Sequence, residues 1–368
     1  MKVALVYDRI NKWGGAERVL LALHKLFPNA PVFTSVYSPK NAKWADDMDI
    51  KTSFLQKYPH VVSHHELYPF LMPMAFEQFS FSGYDLVISL TSEAAKGIIT
   101  QPGTMHICYC LTPTRYLWSG YKEYFKNPAL KIASKPIVSY LKKWDKTAAR
   151  RPDIFVAISK EVQGRIKEYY SRDSVVIYPS VDLGLSGNGK GESLKSKNKK
   201  KTSPYFLIVS RLSKFTKYKR IDLAIQACNE RKLPLKIIGE GSWKKELQKM
   251  SGPTIEFIND VDDNTLRQYY QNCKALLFPA LEDFGLTVVE AQAFGKPVIA
   301  FRGGGAMETI IERKTGVFFD KQTKESLTQA LQIFDTITFD PMLSKKNAQR
   351  FSETSFNASF LKLVHQMI

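Results

Sequence analysis

The chain has 368 residues, 44% apolar and 24% charged, with a formal net charge of +18 at pH 7. That length is more than one core of ordinary size takes, so two domains are expected, and the composition excludes a disordered chain. No run of about 18 apolar residues leaves room for a transmembrane helix. The N-terminal MKVALVYDRI turns polar too soon for a signal-peptide core, so a cytoplasmic protein is expected.

The first strand-like run, KVALVYD, leads into NKWGGAERVLLALHKLF. There Val19, Leu20, Leu23, Leu26 and Phe27 recur at helical spacing behind Gly14 and Gly15. Short apolar runs follow at DLVISL, HICYC, DIFVAIS and SVVIYPS, with helix-like segments such as KEVQGRIKEYY between several of them. Alternation of strand and helix predicts a parallel sheet covered by helices. The stretch from Tyr121 to Arg151 mixes Lys and Arg with aromatics, which suits an interface better than a nucleic-acid code. Cys108 and Cys110 alternate within HICYC, and with Cys228 and Cys273 they lack the paired spacing of a zinc site, so buried reduced thiols are expected.

Around residue 187 the character changes. From Gly187 to Ser203 the chain holds six lysines and one glutamate with almost no apolar content, as a solvated linker would. Alternation then restarts through YFLIVSRL, KRIDLAIQACNE, LPLKIIGEG, SWKKELQKM, TIEFIND, DNTLRQYYQNC, ALLFPA, PVIAF and GVFFD. The expected organisation is α/β. Residues 1–184 form an N-terminal Rossmann-like domain, 185–204 a Lys/Gly/Ser-rich linker or insertion, 205–350 a second doubly wound domain, and 351–368 a closing helix. Two such domains joined by a linker make a cleft, and ligands of doubly wound sheets bind at the carboxyl ends of the strands.

The densest chemistry lies between Pro279 and Ile310, PALEDFGLTVVEAQAFGKPVIAFRGGGAMETI. ALLFPA reads as a buried strand, a loop with Glu282 follows, and a helix starting near Gly285 would carry Glu290 and aim free backbone N–H groups into the cleft, a ready anion site. Two Asp-x-Asp triplets, Asp47-Met-Asp49 and Asp260-Val-Asp262, raise the question of a metal, but such a triplet arises often by chance.

EDFGLTVVEAQAFGKPVIA resembles the E-x7-E signature of retaining glycosyltransferases of family four, which have the GT-B fold. GGAERVL, YCLTPTRYLW, AISKEVQGRI, VIYPSVDL, SRL with YKRIDLAI, and GGGAMETI with TGVFF agree in order and spacing, so the likeness spans the chain. Within the family the chain is most similar to bacterial mannosyltransferases that use GDP-mannose to build O-antigen and exopolysaccharide. The resemblance implies that Arg211 and Lys219 bind the diphosphate, although Lys214 and Lys217 stand close enough to compete for the lysine role. It implies that Glu282 contacts the donor sugar, Glu290 holds ribose hydroxyls, and the amides of Phe284, Gly285 and Leu286 face sugar and phosphate. Gly14, Gly15 and Gly239 complete the implied donor-binding set, with Arg211, Lys219 and Glu282 as the catalytic residues and no metal or other cofactor. Thr112, Arg115 and Tyr116 would line the acceptor side in the first domain.

The chain departs from the family in one place. Relatives read Y-C-H-T-P-x-R-Y, with a histidine near the reacting carbon, and Leu111 stands there in this chain. Either the histidine is dispensable in this branch, or His106 or another group substitutes, or activity is reduced. The implied partners are a nucleotide sugar, a glycan or polyprenyl-linked acceptor, and an anionic surface at the inner face of the cytoplasmic membrane, reached through the Tyr121–Arg151 segment. No nucleic-acid-binding module is evident, and a glycoside hydrolase would leave Arg211 and Lys219 without a task. A UDP-sugar donor, or a non-catalytic nucleotide-sugar binder, remains as the alternative.

Overall fold

A computed structural model describes residues 1–64, 67–125, 127–183, 204–259 and 261–367. The chain divides into two compact units, Met1–Ser180 with Asn357–Ile368, and Val181–Phe356. The basic run 187–203 lies outside the described residues.

The first unit is built on seven strands: β1 (Val3–Tyr7), β2 (Val32–Thr34), β3 (Ile50–Thr52), β4 (Leu86–Thr91), β5 (Met105–Cys110), β6 (Ile154–Ala157) and β7 (Val175–Val176). They lie in the order β3-β2-β1-β4-β5-β6-β7, every pairing parallel. In β1 and β4 every residue is buried, because helices cover both faces of the sheet. The second unit has six strands: β8 (Phe206–Val209), β9 (Leu235–Ile238), β10 (Ile255–Ile258), β11 (Ala275–Phe278), β12 (Val298–Phe301) and β13 (Gly316–Phe319). Their order is β10-β9-β8-β11-β12-β13, again all parallel.

The second sheet shows why its strands read as unbroken apolar runs. Phe206, Ile208, Ala275 and Leu277 enter one core, while Leu207, Leu276 and Phe278 enter the other. Side chains alternate with a period of two, so a strand buried on both faces has no polar position.

The last helix, Glu353–Met367, brings the chain back to the first unit. Phe360 sets its ring 6.3 Å from those of Phe27 and Tyr109 there. Strands β2 and β3 were not readable, since three residues each carry too little pattern to declare a strand. The Tyr121–Arg151 segment contains a 21-residue helix, Pro128–Ala148, with Pro136 inside it. Among the described residues, no helix is long and apolar enough to cross a membrane. All four cysteines are buried and outside any disulfide, and burial pushes the thiols of Cys108, Cys228 and Cys273 up to about 12.

In each sheet the strand order reverses once, between β1 and β4 and between β8 and β11. Loops leaving the carboxyl ends of these neighbouring strands diverge to opposite sides, which opens a crevice at the switch point. Those loops hold Asp8–Gly14 and Ser92–Gly97 in the first unit, and Ser210–Ser213 and Pro279–Gly285 in the second.

Candidate functional site

The second unit's switch point collects most of the residues expected to carry chemistry. β8 ends at Val209, and Arg211 stands exposed just beyond it. A 3-10 helix, Lys214–Lys219, then sends its three lysines to three different places. Lys214 pairs with Glu246 at 2.6 Å, and Lys217 lies 5.3 Å from the ring centre of Trp243. Lys219 alone of the three reaches Glu282, with Nζ 2.7 Å from Oε1. Both partners are largely shielded, their side chains 13% and 23% exposed, so the pair is screened by salt less than an open surface bridge.

Glu282 sits on the loop between β11 and the helix Leu286–Ala293, whose N-cap is Gly285. Its N-cap glycine makes no side-chain hydrogen bond, and the first amides of a helix have no partner inside it. Gly285 has φ 87°, a left-handed conformation that favours glycine, and a Cβ there would come 3.0 Å from Phe278 Cζ. Phe284 turns its ring into the interior, 5.4 Å from that of Phe351. Leu286 opens the helix half-buried.

The three glycines after β12 have a structural task. Gly305 donates its amide to the carbonyl of Glu282 at 2.9 Å. A Cβ on Gly305 would lie 2.6 Å from the carbonyl oxygen of Phe284 and 2.7 Å from that of Asp283, and closer still to Phe284 Cα. Gly304, at φ 58°, faces the carbonyl of Glu282 in the same way. Two stretches of backbone therefore touch without intervening side chains, and the Glu282 loop is fixed by that contact. Gly239, at the end of β9, folds equally tightly over the carbonyl of Ser210 at the end of β8.

Glu290 occupies the second turn of the same helix and is buried. Its Oε2 accepts the hydroxyl of Tyr270 at 2.6 Å, and the Tyr270 ring stacks on Phe294 with centroids 5.7 Å apart. A hydrogen bond to a charged group is worth about 1.5–3 kcal/mol, enough to hold one carboxylate rotamer. Tyr270 was invisible as a functional residue in the sequence: within DNTLRQYYQNC it reads as one more apolar position of a helix face. Its partner is a contact across the fold, which periodicity does not report.

The remaining predicted residues lie at the carboxyl edge of the first sheet. Gly14 caps the helix Gly15–Leu26 without any side-chain hydrogen bond, and Glu17 in the first turn is buried against the Tyr7 hydroxyl at 2.7 Å. Thr112 is buried, with Arg165 Nη1 3.5 Å from its hydroxyl, and Arg115 and Tyr116 are half-buried on the turn that follows. That turn is tied down by Asp145, which accepts Trp118 Nε1 at 2.7 Å, Thr114 Oγ1 at 3.0 Å and the Tyr170 hydroxyl at 2.7 Å beside Lys96 at 2.5 Å. Asp145 lies in the basic Tyr121–Arg151 stretch and was not singled out, because a lone acid among lysines reads as a solvated face.

His106 does not take the place of the missing histidine. It is buried near the start of β5 with Nε2 2.7 Å from Ser89 Oγ, while Leu111 follows the strand's other end. Leu111 is five positions further along the chain, about 16 Å of extended strand. Burial, helped by the charges of Arg151 and Arg172, lowers its pKa to about 3, so it stays neutral. Of the Asp-x-Asp triplets, Asp262 caps the helix Asp263–Asn272 through the amide of Thr265 at 2.7 Å. Asp49 lies 3.9 Å from Lys51, and Asp260 lies outside the described residues. Among the described residues, no three His, Cys, Asp or Glu side chains are placed to hold a metal ion.

Gly305→Ala should destabilise the second unit by about 1–3 kcal/mol, the cost of forcing backbone apart in a packed place. Gly164→Ala, on an exposed helix position with nothing within 4 Å of the added carbon, should stabilise by about 0.5–1 kcal/mol. Urea unfolding of both variants checks the contrast.

Comparison with known proteins follows the same division. Residues 189–350 match the family model of glycosyl transferases group 1. An uncharacterized glycosyltransferase of Methanocaldococcus jannaschii is 25% identical over 191 residues, covering 50% of this chain and 50% of the relative. A GDP-mannose-dependent alpha-(1-6)-phosphatidylinositol monomannoside mannosyltransferase of Mycolicibacterium smegmatis is 29% identical over 142 residues, covering 34% of this chain and 37% of the relative. The chain thus spans half or less of the length of these curated relatives. Across its whole length the fold is similar to that of Anabaena HepE, solved in complex with UDP, with a TM-score of 0.72, 20% identity and 100% of each chain covered. The GT-B fold class expected from the sequence, with two Rossmann-like parallel-sheet domains, is the fold of this chain.

Proposed function

We propose that the chain is a retaining glycosyltransferase. It moves a hexose, with mannose from GDP-mannose as the first assignment, onto a hydroxyl of a glycan or lipid-linked acceptor in cell-surface polysaccharide synthesis. One observation carries the reading: Lys219 and Glu282 meet at 2.7 Å at the switch point of the second sheet. That places a cation and a carboxylate beside the start of the helix Leu286–Ala293 and the loop carrying Arg211. Such a set suits a ligand with a diphosphate at one end and hydroxyls at the other.

The chemistry follows from the charges. An acceptor oxygen attacks the anomeric carbon, the bond from that carbon to the diphosphate oxygen breaks, and the leaving diphosphate takes the acceptor's proton. Negative charge grows on the diphosphate as the bond opens, and Arg211 and Lys219 would neutralise it. The diphosphate of a nucleotide sugar carries two negative charges, one on each phosphoryl, and gains a third as the sugar leaves, so it offers Lys219 more total charge than Glu282 does. Donor binding would therefore draw Lys219 to the diphosphate and turn Glu282 to the sugar hydroxyls. Glu290, oriented by Tyr270, would receive ribose hydroxyls. The reaction asks for no metal, because two cations and the helix start supply the positive field.

Mannose and GDP are favoured by the resemblance and by the mannosyltransferase of Mycolicibacterium smegmatis among the relatives. A UDP-sugar is the second reading, supported by the Anabaena HepE structures with UDP and UDP-glucose. The acceptor is proposed to reach the chain at the inner face of the cytoplasmic membrane. The helix Pro128–Ala148 exposes Ile132, Ile137 and Tyr140 alongside Lys131, Lys135 and Lys143, an apolar and basic face of the kind that rests on anionic headgroups.

Purified chain, offered a panel of GDP- and UDP-sugars with EDTA present, should release nucleoside diphosphate slowly from one donor. Glu290→Ala should weaken binding of that donor about tenfold or more, for loss of hydrogen bonds to a charged group. A donor that is neither turned over nor bound would end this reading, and turnover that stops in EDTA would end its metal-free part. In vesicle sedimentation, Ile132→Glu should reduce binding to phosphatidylglycerol vesicles; equal binding by the variant would remove the helix from the membrane contact.

A further inference from the structure

The second unit carries a groove at the end of its sheet away from the switch point. It opens at the amino ends of β11 and β12, beside the chain that leaves the helix Lys324–Asp335. Its volume is about 320 Å³, at the lower end of the range for small-ligand pockets. The floor is core. Phe334 is 4% exposed and stacks on Phe339 with centroids 5.1 Å apart, and Ile337 and Phe339 pack half-buried on the same cluster. Pro297 and Pro341 add two further apolar walls.

One wall is set by the way a helix ends. The helix Leu286–Ala293 closes in a Schellman turn, where the Gly295 amide donates to the carbonyl of Gln292 at 2.8 Å and the Lys296 amide to that of Ala291 at 2.9 Å. A Cβ on Gly295 would lie 2.8 Å from Pro341 Cβ and 3.3 Å from Lys345 Cε, so both side chains close on the turn. Lys296, next in the chain, lines the groove half-buried.

The charges here are unbalanced. Lys274 is held 5.4 Å from the ring centres of Phe206 and Phe334, with Nζ 2.7 Å from Asp335 Oδ1. Asp335 also takes Arg231 Nη2 at 3.2 Å, so one carboxylate serves two cations. The neighbouring Asp340 accepts the amide of Met342 at 2.8 Å. Lys296 and Lys345 have no ion-pair partner among the described residues. An apolar cleft edged by excess cations attracts an anion and repels a metal ion. A neutral sugar would leave the ammonium groups unanswered, and inorganic phosphate alone would leave Ile337 and Phe339 in water.

We propose that this groove binds a small amphiphilic anion, an aryl or acyl body bearing a phosphate or carboxylate. The body lies on Ile337, Phe339 and the two prolines, and the anionic group meets Lys296. The site is distinct from the diphosphate position proposed at the carboxyl ends of β8 and β11, and it does not depend on the donor reading.

Calorimetry of the full chain with phenyl phosphate and octyl phosphate tests this, with inorganic phosphate and octanol as controls. At least one organophosphate should bind about tenfold or more tighter than either control; phenyl phosphate as the tighter marks an aryl ligand, octyl phosphate an acyl one. Lys296→Ala should weaken that binding about tenfold, for one lost charge-assisted contact, and Lys296→Arg should keep most of it. Lys362→Ala, on an exposed position of the closing helix, should bind as wild type does. GDP added beforehand should change probe affinity less than about twofold. Four results would each overturn the site: a wild type that prefers neither organophosphate, undiminished binding by Lys296→Ala, an equal loss in Lys362→Ala, or displacement of the probe by GDP. The third would trace binding to net charge alone, and the fourth would move it to the donor crevice.

Discussion

The close approach of two backbone stretches in the second unit is the constraint from which its site follows. Gly304 and Gly305 come against the carbonyls of Glu282, Asp283 and Phe284 with no side chain between, and the Gly305 amide closes the contact on Glu282. That contact fixes the loop leaving β11. A fixed loop sets the start of the helix Leu286–Ala293 and holds Glu282 where Lys219 reaches it. A side chain at either glycine would part the two loops, and the carboxylate and the lysine would lose their register together.

The two glutamates of the segment then differ by environment more than by spacing. Glu282 is largely shielded and paired with Lys219. Glu290 is buried and tied to Tyr270, an arrangement that orients rather than exchanges. In the first unit the equivalent fixed element is Asp8, which gathers the turn after β4 as the glycines gather the loop after β11.

Much of this was legible in the chain itself. Strands buried on both faces announced themselves as apolar runs, whereas Gly239 and Gly285 were expected only as donor-binding positions, and the contact of Gly304 and Gly305 with the Glu282 loop was not read from the sequence. What stayed hidden was of two kinds. β2 and β3 hold three residues each, so neither carries a period to detect. Tyr270 and Asp145 act through partners at distances in sequence that no local pattern encodes: Tyr270 on Glu290, Asp145 on Thr114 and Trp118. Among Lys214, Lys217 and Lys219 the run YKRIDLAI favoured Lys219, and packing shows the other two engaged with Glu246 and Trp243. His106 misled in the opposite way, as a residue type with chemistry that the fold buries in a strand.

The central claim is that a nucleotide sugar binds at the carboxyl ends of β8 and β11, and a crystal structure of the chain soaked with GDP-mannose or UDP-glucose tests it most directly. Density for the diphosphate beside Arg211 and Lys219, with the ribose at Glu290 and the Lys219–Glu282 pair opened, is the predicted result. A nucleotide bound elsewhere, or one bound with that pair intact and Glu290 untouched, would contradict it.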